Sequence, residues 1–205
     1  LLSTMATAPR RRRSTNPALV RDNWPDVQRA MRELVAKEVL VGFPEDSTDR
    51  KPDPAAAAGA QPTNAQLAYI HDNGEPANNI PARPFMRPAV ENSRDRAASV
   101  LGNTARAAVR RGVNALSTVD RGLHSVGLIV QAAIKARINE GIPPPLSERT
   151  LRDRASRGRA GTAWELAWRD AGAPAGTEIS KPLIDTGQLR NAANYVIRNR
   201  RARRP

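Results

Sequence analysis

Residues Asn64 to Asn92 read NAQLAYIHDNGEPANNIPARPFMRPAVEN, and the order of signals within them decides how the rest of the chain is arranged. Thr63, Asn64, Ala65 and Gln66 form a capping box, with the Thr63 hydroxyl reaching the backbone ahead and the Gln66 side chain reaching back. The helix it opens has Leu67 and Ile70 as its apolar face and closes at Asn73-Gly74, a C-cap pair. Pro76, Pro81, Pro84 and Pro88 follow. Proline fixes φ and removes a backbone donor, so this stretch is neither helix interior nor central strand. A rigid, half-apolar connection of this kind either sets the angle between two packed elements or is itself a docking surface. At its centre, Ile80-Pro81-Ala82-Arg83-Pro84-Phe85 places a guanidinium and an aromatic ring on the stiffest backbone of the chain. In one reading Arg83 pairs with an acid such as Asp72 or Glu75 while Phe85 plugs the core. In the other, Arg83, Phe85 and Arg87 form an exposed docking hot spot. The first is the favoured expectation.

Working outward, Trp24 to Ala36 predicts a helix, with Pro25 at the first position and Val27, Met31, Leu34 and Val35 recurring on one face. Glu38 to Phe43 reads as a strand, Val39, Val41 and Phe43 alternating, and Pro44 ends it. Residues 44–62 are an Asp-, Pro- and Ala-rich loop. Downstream, Pro88 to Arg111 predicts a long helix with Val90, Ala97, Leu101 and Ala108 on one stripe, stopped by Gly112. A second long helix spans Val119 to Glu140 with a stripe of Leu123, Val126, Gly127, Val130, Ile134 and Ile138, and Gly141 stops it. The two pair as an antiparallel hairpin, alanine and glycine on the facing sides permitting close approach. Pro143-Pro144-Pro145 forces an extended connection, after which Ser147 caps a short basic helix through Arg154. Residues 156–180 read as an insertion with a brief helix and flexible flanks. Trp164 and Trp168 share one face of that helix, suited as well to a partner surface as to self-burial.

Asp185-Thr186 is expected to cap one last turn beyond Gly187. Asn194 to Arg198, with Tyr195 and Ile197 alternating against Val196, reads as a closing strand paired antiparallel with Glu38 to Phe43. The predicted class is α+β: a small antiparallel sheet made of the first and last strands of the body, packed with several helices including the long hairpin. It forms a single domain over residues 17–198, between a basic N-terminal arm (residues 1–16) and a basic C-terminal tail (residues 199–205).

Charge is concentrated at those ends. The 205 residues carry a net charge of +13. Arg10, Arg11, Arg12 and Arg13 at one end, and Arg198, Arg200, Arg201, Arg203 and Arg204 at the other, account for nine of the 33 basic side chains. Without them the body is near balance, 24 bases facing 20 acids. Such arms read as flexible segments, ordered only by a partner, that hold nucleic acid or an acidic protein surface by charge, or that serve solubility alone. Aromatic residues make up only 3% of the chain, so the core is built from Ala, Val, Leu and Ile and is expected to be thin. With no cysteine, the chain has no disulfide, thiolate metal site or cysteine nucleophile. No run approaches the eighteen or so apolar residues that cross a bilayer, and no membrane partner is expected.

Catalytic motifs are weak. Leu183-Ile184 followed by Asp185-Thr186-Gly187 looks like the loop of aspartic proteases, whose chemistry needs two such aspartates sharing a proton. A homodimer would supply the second, but only 18 residues follow Gly187, too few for the rest of that fold. His71-Asp72 looks like the metal-binding pair of phosphohydrolases, yet the only other histidine is His124. His71 is expected to bond a backbone group near its helix end, and His124 to sit at the margin of a contact. No phosphate-cradling loop and no Gly-x-Ser-x-Gly is present. The expectation is no metal, no cofactor and no enzymatic activity.

Ala68-Tyr69-Ile70-His71, Asn73-Gly74 and Ile80 to Phe85 together resemble the signature of the tail-completion or neck proteins of tailed double-stranded DNA phages, a group that includes minor tail and virion-morphogenesis proteins. Further similar blocks follow in order: Pro144-Pro145-Leu146-Ser147 with Thr150-Leu151, and Pro182 to Arg190. Val39 to Pro44 resembles the first strand of that family. The arginine-rich ends and the segment Gly158 to Ser180 depart from its pattern. The resemblance implies a structural virion protein at the head–tail junction, present in the host cytoplasm during assembly. It implies a homo-oligomeric ring, sixfold or twelvefold by analogy, joining the tail to the head connector with DNA passing through the lumen. Partners would be a connector, adaptor or head-completion protein on one side and a tail-terminator or tail-tube protein on the other. The alternative is a nucleic-acid-binding protein acting through its arginine-rich termini.

Overall fold

The computed structural model describes residues 22–44 and 62–200. α1 (Trp24–Ala36) runs directly into β1 (Lys37–Gly42). α2 (Asn64–Asn73) follows, then a 3₁₀ turn at Pro76–Asn78 and the long helices α3 (Met86–Arg111) and α4 (Ala115–Asn139), joined by a 3₁₀ turn at Gly112–Asn114. α5 (Glu148–Ser156), α6 (Thr162–Asp170), α7 (Gln188–Ala192) and β2 (Asn194–Asn199) complete the described chain. β1 and β2 pair antiparallel from Lys37 opposite Asn199 to Gly42 opposite Asn194. The class is α+β, mostly helical, with the two ends of the body side by side in one two-stranded sheet. No described helix is long and apolar enough to cross a membrane.

Local signals explain the boundaries. Thr63 Oγ1 accepts from Gln66 N–H at 3.2 Å and Gln66 Oε1 accepts from Thr63 N–H at 2.9 Å, the reciprocal capping box that starts α2. Gly74 ends α2 at φ +80°, where a Cβ would lie 2.7 Å from Ala82 N, so both its conformation and its contact demand glycine. Ser147 accepts from Thr150 N–H and caps α5.

The α3–α4 hairpin is the spine, each helix about 38 Å long at 1.5 Å per residue. A Cβ at Gly122 would sit 2.2 Å from Thr104 Oγ1, which shows how closely the two helices approach. The expected α4 stripe is buried throughout: Leu123, Val126, Gly127, Val130, Ile134 and Ile138. Gly127 serves a different neighbour from the one expected, because the Tyr195 ring of β2, not α3, lies against it. On α3 the inward residues are Ala89, Ser93, Thr104 and Ala108, while Val90, predicted to face in, is exposed. Val35 of α1 is likewise exposed, and Ala30 takes the buried position. On α2 Ala68 is buried and Leu67 and Ile70 are only half-buried. The cause is common to all three: closely approaching helices select the small residues for the contact and turn the larger neighbour outward.

The core falls into two clusters strung along α4. One holds Phe85 with Ala68, Ala89, Val130, Ile134, Ile138, Leu183 and Leu189; the other holds Ala30, Ala108, Ala115, Val119 and Leu123. Val41 and Phe43 feed the first cluster and Val39 and Ile197 the second. The opposite sheet face leaves Leu40 and Val196 exposed beside the Glu38–Arg198 ion pair at 2.9 Å.

Candidate functional site

The segment between α2 and α3 is an elbow whose backbone bonds are made within its own turn or back to the end of α2. Glu75 and Ile80 exchange N–H···O bonds at 2.8 and 3.0 Å across the Pro76–Asn78 turn, and Asn79 adopts φ +54° within it. Arg83 N–H donates to the main-chain oxygen of His71 at 2.8 Å, folding the elbow back on α2. Phe85, with 0% exposure, fills the core and meets Phe43 edge to face with centroids 6.1 Å apart.

Arg83 does not pair with an acid, contrary to expectation. Its Nε and Nη2 both donate to the Pro144 carbonyl, at 3.0 and 2.7 Å. Proline carbonyls in an extended run have no ladder partner, and one fork-shaped guanidinium reaches such an oxygen with two donors. Asp72 is committed elsewhere: its Oδ1 accepts from Phe85 N–H at 2.8 Å and Met86 N–H at 2.9 Å. It thereby supplies the first turn of α3 with the anion that a helix N-terminus favours. Arg83 is only 5% exposed, so neither it nor Phe85 is offered to a partner. Of the proposed hot spot only Arg87 lies on the surface, 3.8 Å from Glu91. Tyr69, Pro81 and Pro84 are exposed, and His71 and Ile80 half-buried.

A second clamp lies beside the first. Arg154 Nη1 donates to Ile184 O at 2.9 Å and to Lys181 O at 3.2 Å, and its Nη2 to Pro182 O at 2.8 Å. Burial, and then the neighbouring charge of Arg154, push the Arg83 guanidinium below its usual range. Burial lowers Arg154 as well, and Asp185 partly offsets this. Asp185 is not the helix cap that was expected. Its carboxylate accepts from Arg159 Nε at 3.0 Å and Arg157 Nη1 at 3.2 Å and lies 3.7 Å from Arg154 Nε. Gly187 takes the N-cap position of α7 at φ +76°, and Thr186 Oγ1 gives Gln188 N–H only a long 3.4 Å contact. Asp185 is thus the counter-ion of an arginine cluster. Between the two clamps is a cleft of about 450 Å³, lined by His71, Ile80, Arg83, Ser147, Thr150 and Arg154 among others. Among the described residues no group of three or more His, Asp or Glu is placed to hold a metal.

His124 Nδ1 and Tyr195 Oη are 3.0 Å apart at the edge of α4, the contact margin expected of it. The insertion is better anchored than expected. Glu165, 2% exposed, accepts from Arg169 Nε at 2.9 Å and from Gly176 N–H at 3.2 Å, while Arg169 Nη1 donates to Leu146 O at 2.8 Å. Trp164 and Trp168 are 76% and 57% exposed, which leaves the partner reading open and removes self-burial. Arg10 to Arg13, Arg201, Arg203 and Arg204 lie outside the described residues. Arg200 is exposed, and its N–H donates to Ala36 O at 2.6 Å at the end of the ladder.

The residues missed by sequence reasoning are the clamp arginine Arg154, its neighbours Arg157 and Arg159, and the Glu165–Arg169 pair. The available signal is the run of arginines from Arg149 to Arg159 beside proline-rich segments that lack donors; the sequence reading places Arg154 at the end of a short basic helix and the other four residues in the insertion. Comparison with known proteins finds no matching family model, curated protein or solved structure.

Proposed function

We propose that this chain is a structural virion protein of a tailed phage, a tail-completion or neck component that forms a ring at the head–tail junction and joins the tail to the head connector. The observation that carries this reading is the meeting of the blocks on which the resemblance rests. Phe43 of the first block packs on Phe85 of the second. Arg83 of the second donates to Pro144 of the third. Arg154, just past the third, donates to Pro182 and Ile184 of the fourth, and Leu189 returns to the Phe85 cluster. Segments spread over some 150 residues therefore meet in one packed unit, which supports reading them as parts of one scaffold. A thin, alanine-rich core in two clusters also suits a protomer completed by neighbours.

The direct test is complementation. A phage lacking the gene accumulates filled heads and finished tails that join when purified protein is added, and electron microscopy of the protein shows closed rings. Heads and tails that join without it refute the role. The second reading, nucleic-acid binding, draws on the arginines at both ends. It predicts that protein trimmed to residues 17–198 loses DNA binding, whereas the junction reading predicts that the trimmed body still forms rings.

A further inference from the structure

Buried charges are ordinarily paired with an opposite charge. Arg83, 5% exposed, has no carboxylate partner among the described residues; its Nε and Nη2 donate to the Pro144 and Pro145 carbonyls. Among the same residues the two N–H groups of its Nη1 have no acceptor, and that atom is open to solvent on a side chain that lines the cleft. The neighbouring charge that shifts Arg83 is itself positive. Arg154, 8% exposed, lines the same cleft and lowers the Arg83 pKa beyond what burial does. Asp185 does not balance the pair, because Arg154, Arg157 and Arg159 share it. The cleft carries uncompensated positive charge.

The first turn of α5 opens on this cleft through Ser147 and Thr150, whose hydroxyls lie 2.9 Å apart. It adds the partial positive charge of a helix N-terminus and two side-chain hydroxyls. Guanidinium donors beside a helix N-terminus are the groups that hold a phosphate. Much of the remaining lining is apolar, from Ile80, Pro81, Leu146 and Pro182. A volume of about 450 Å³ exceeds what a phosphate group fills and lies within the range of small-molecule pockets. A duplex nucleic acid is too wide to enter it, so its phosphodiesters do not reach guanidinia set this far below the surface.

We propose that the cleft between Arg83 and Arg154 binds a small phosphate monoester. Its phosphate is held by the free Arg83 donors, by Arg154 and by the α5 N-terminus, and its apolar body lies against Ile80, Pro81 and Leu146. Bound there, the anion supplies the opposite charge that the two guanidinia lack and ties the elbow to α5. Binding to the folded chain alone then raises its stability. The site goes beyond the head–tail reading and does not depend on it.

The test is calorimetric titration of the full chain with phenyl phosphate, inorganic phosphate and benzoate at about 0.15 M ionic strength, where attraction to distant charges is screened. Phenyl phosphate is expected to fill one site per chain, more tightly than inorganic phosphate, and to raise the unfolding midpoint. Thr150→Val deletes a hydroxyl but keeps the main-chain cap on Ser147 Oγ, and is expected to weaken binding about tenfold, the loss of a hydrogen bond to a charged group. Ile80→Glu puts a carboxylate in the cleft while the main-chain bonds with Glu75 remain, and is expected to abolish binding. Circular dichroism checks that both variants are folded. No saturable binding by wild type overturns the proposal, as does binding that either variant leaves intact, which places the anion elsewhere on this basic chain. Benzoate bound as tightly as phenyl phosphate overturns the phosphate assignment, and inorganic phosphate bound as tightly overturns the ester. A duplex without terminal phosphates that displaces phenyl phosphate assigns the cleft to nucleic acid and overturns it too.

Discussion

Phe85→Ala tests whether the elbow is held by its ring. The Phe85 side chain has no exposed surface and is enclosed by Phe43 after β1, Ala68 of α2, Ala89 of α3 and Ile134 and Ile138 of α4. Replacing such a ring by alanine costs about 3–5 kcal/mol, the sum of lost transfer energy and the cavity left behind. Two features favour the upper half of that range. The edge-to-face contact with Phe43 adds about 0.5–1.5 kcal/mol beyond area, and the backbone N–H of Phe85 is held by Asp72, so the segment does not readily collapse into the void. For a domain of this size a loss of about 4 kcal/mol lowers the unfolding midpoint by roughly 8–16 °C. The assay is urea unfolding followed by circular dichroism at one fixed protein concentration, because association shifts apparent stability. A loss below about 1 kcal/mol with an unchanged urea slope would refute the assignment of Phe85 to the core.

Asp72→Ala removes the acceptor of two N–H groups at the start of α3 and is expected to cost about 2–4 kcal/mol, with Asp72→Asn costing about half as much because one acceptor oxygen survives; equal losses in urea unfolding would show that the negative charge dominates. Gly122→Ala forces apart α3 and α4 at Thr104 and is expected to destabilise by about 1–2 kcal/mol net of its helix propensity gain, with partial recovery in the Thr104→Ala background by thermal unfolding. Glu165→Ala strands the Arg169 charge and is expected to cost about 3–5 kcal/mol locally, read as faster amide exchange across Thr162–Asp170 while α3 and α4 stay protected.

Backbone rules that operate within a few residues made much of the fold legible in the chain. The capping box at Thr63, the glycine stop at Gly74, the proline at the start of α1 and the Ser147 cap each act locally, and each stands where the sequence places it. The pairing of β1 with β2 was legible from alternation at Val39 and Val41 and at Tyr195 and Ile197. Helix faces failed where size decided between neighbours, as at Val90 against Ala89 and Val35 against Ala30. Partner choice failed for charged groups. Asp72 lies near Arg83 in sequence, yet it is taken by the N–H groups of Phe85 and Met86, and Arg83 finds a carbonyl 61 residues away. Such long-range polar pairings carry no periodic signature, and Asp185, read as a cap, was misassigned for the same reason.

The two arginine clamps also explain how a chain with so few aromatic residues keeps a defined shape. Prolines from Pro143 to Pro145, and again at Pro182, offer carbonyls but no donors, so these connections cannot stitch themselves to the body through sheet or helix bonds. Arg83 and Arg154 supply the missing donors from the side-chain end, each buried and each spread over two or three main-chain oxygens. A guanidinium keeps its charge where an ammonium would lose it, and its planar fork matches fixed carbonyls that a lysine would meet only one at a time. Lysine at either position is therefore not a conservative change. The elbow, the Pro143–Pro145 strap and the Pro182 turn are one mechanical unit locked by two cations, tied to α2 through the His71 carbonyl and to α5 through Arg154 itself.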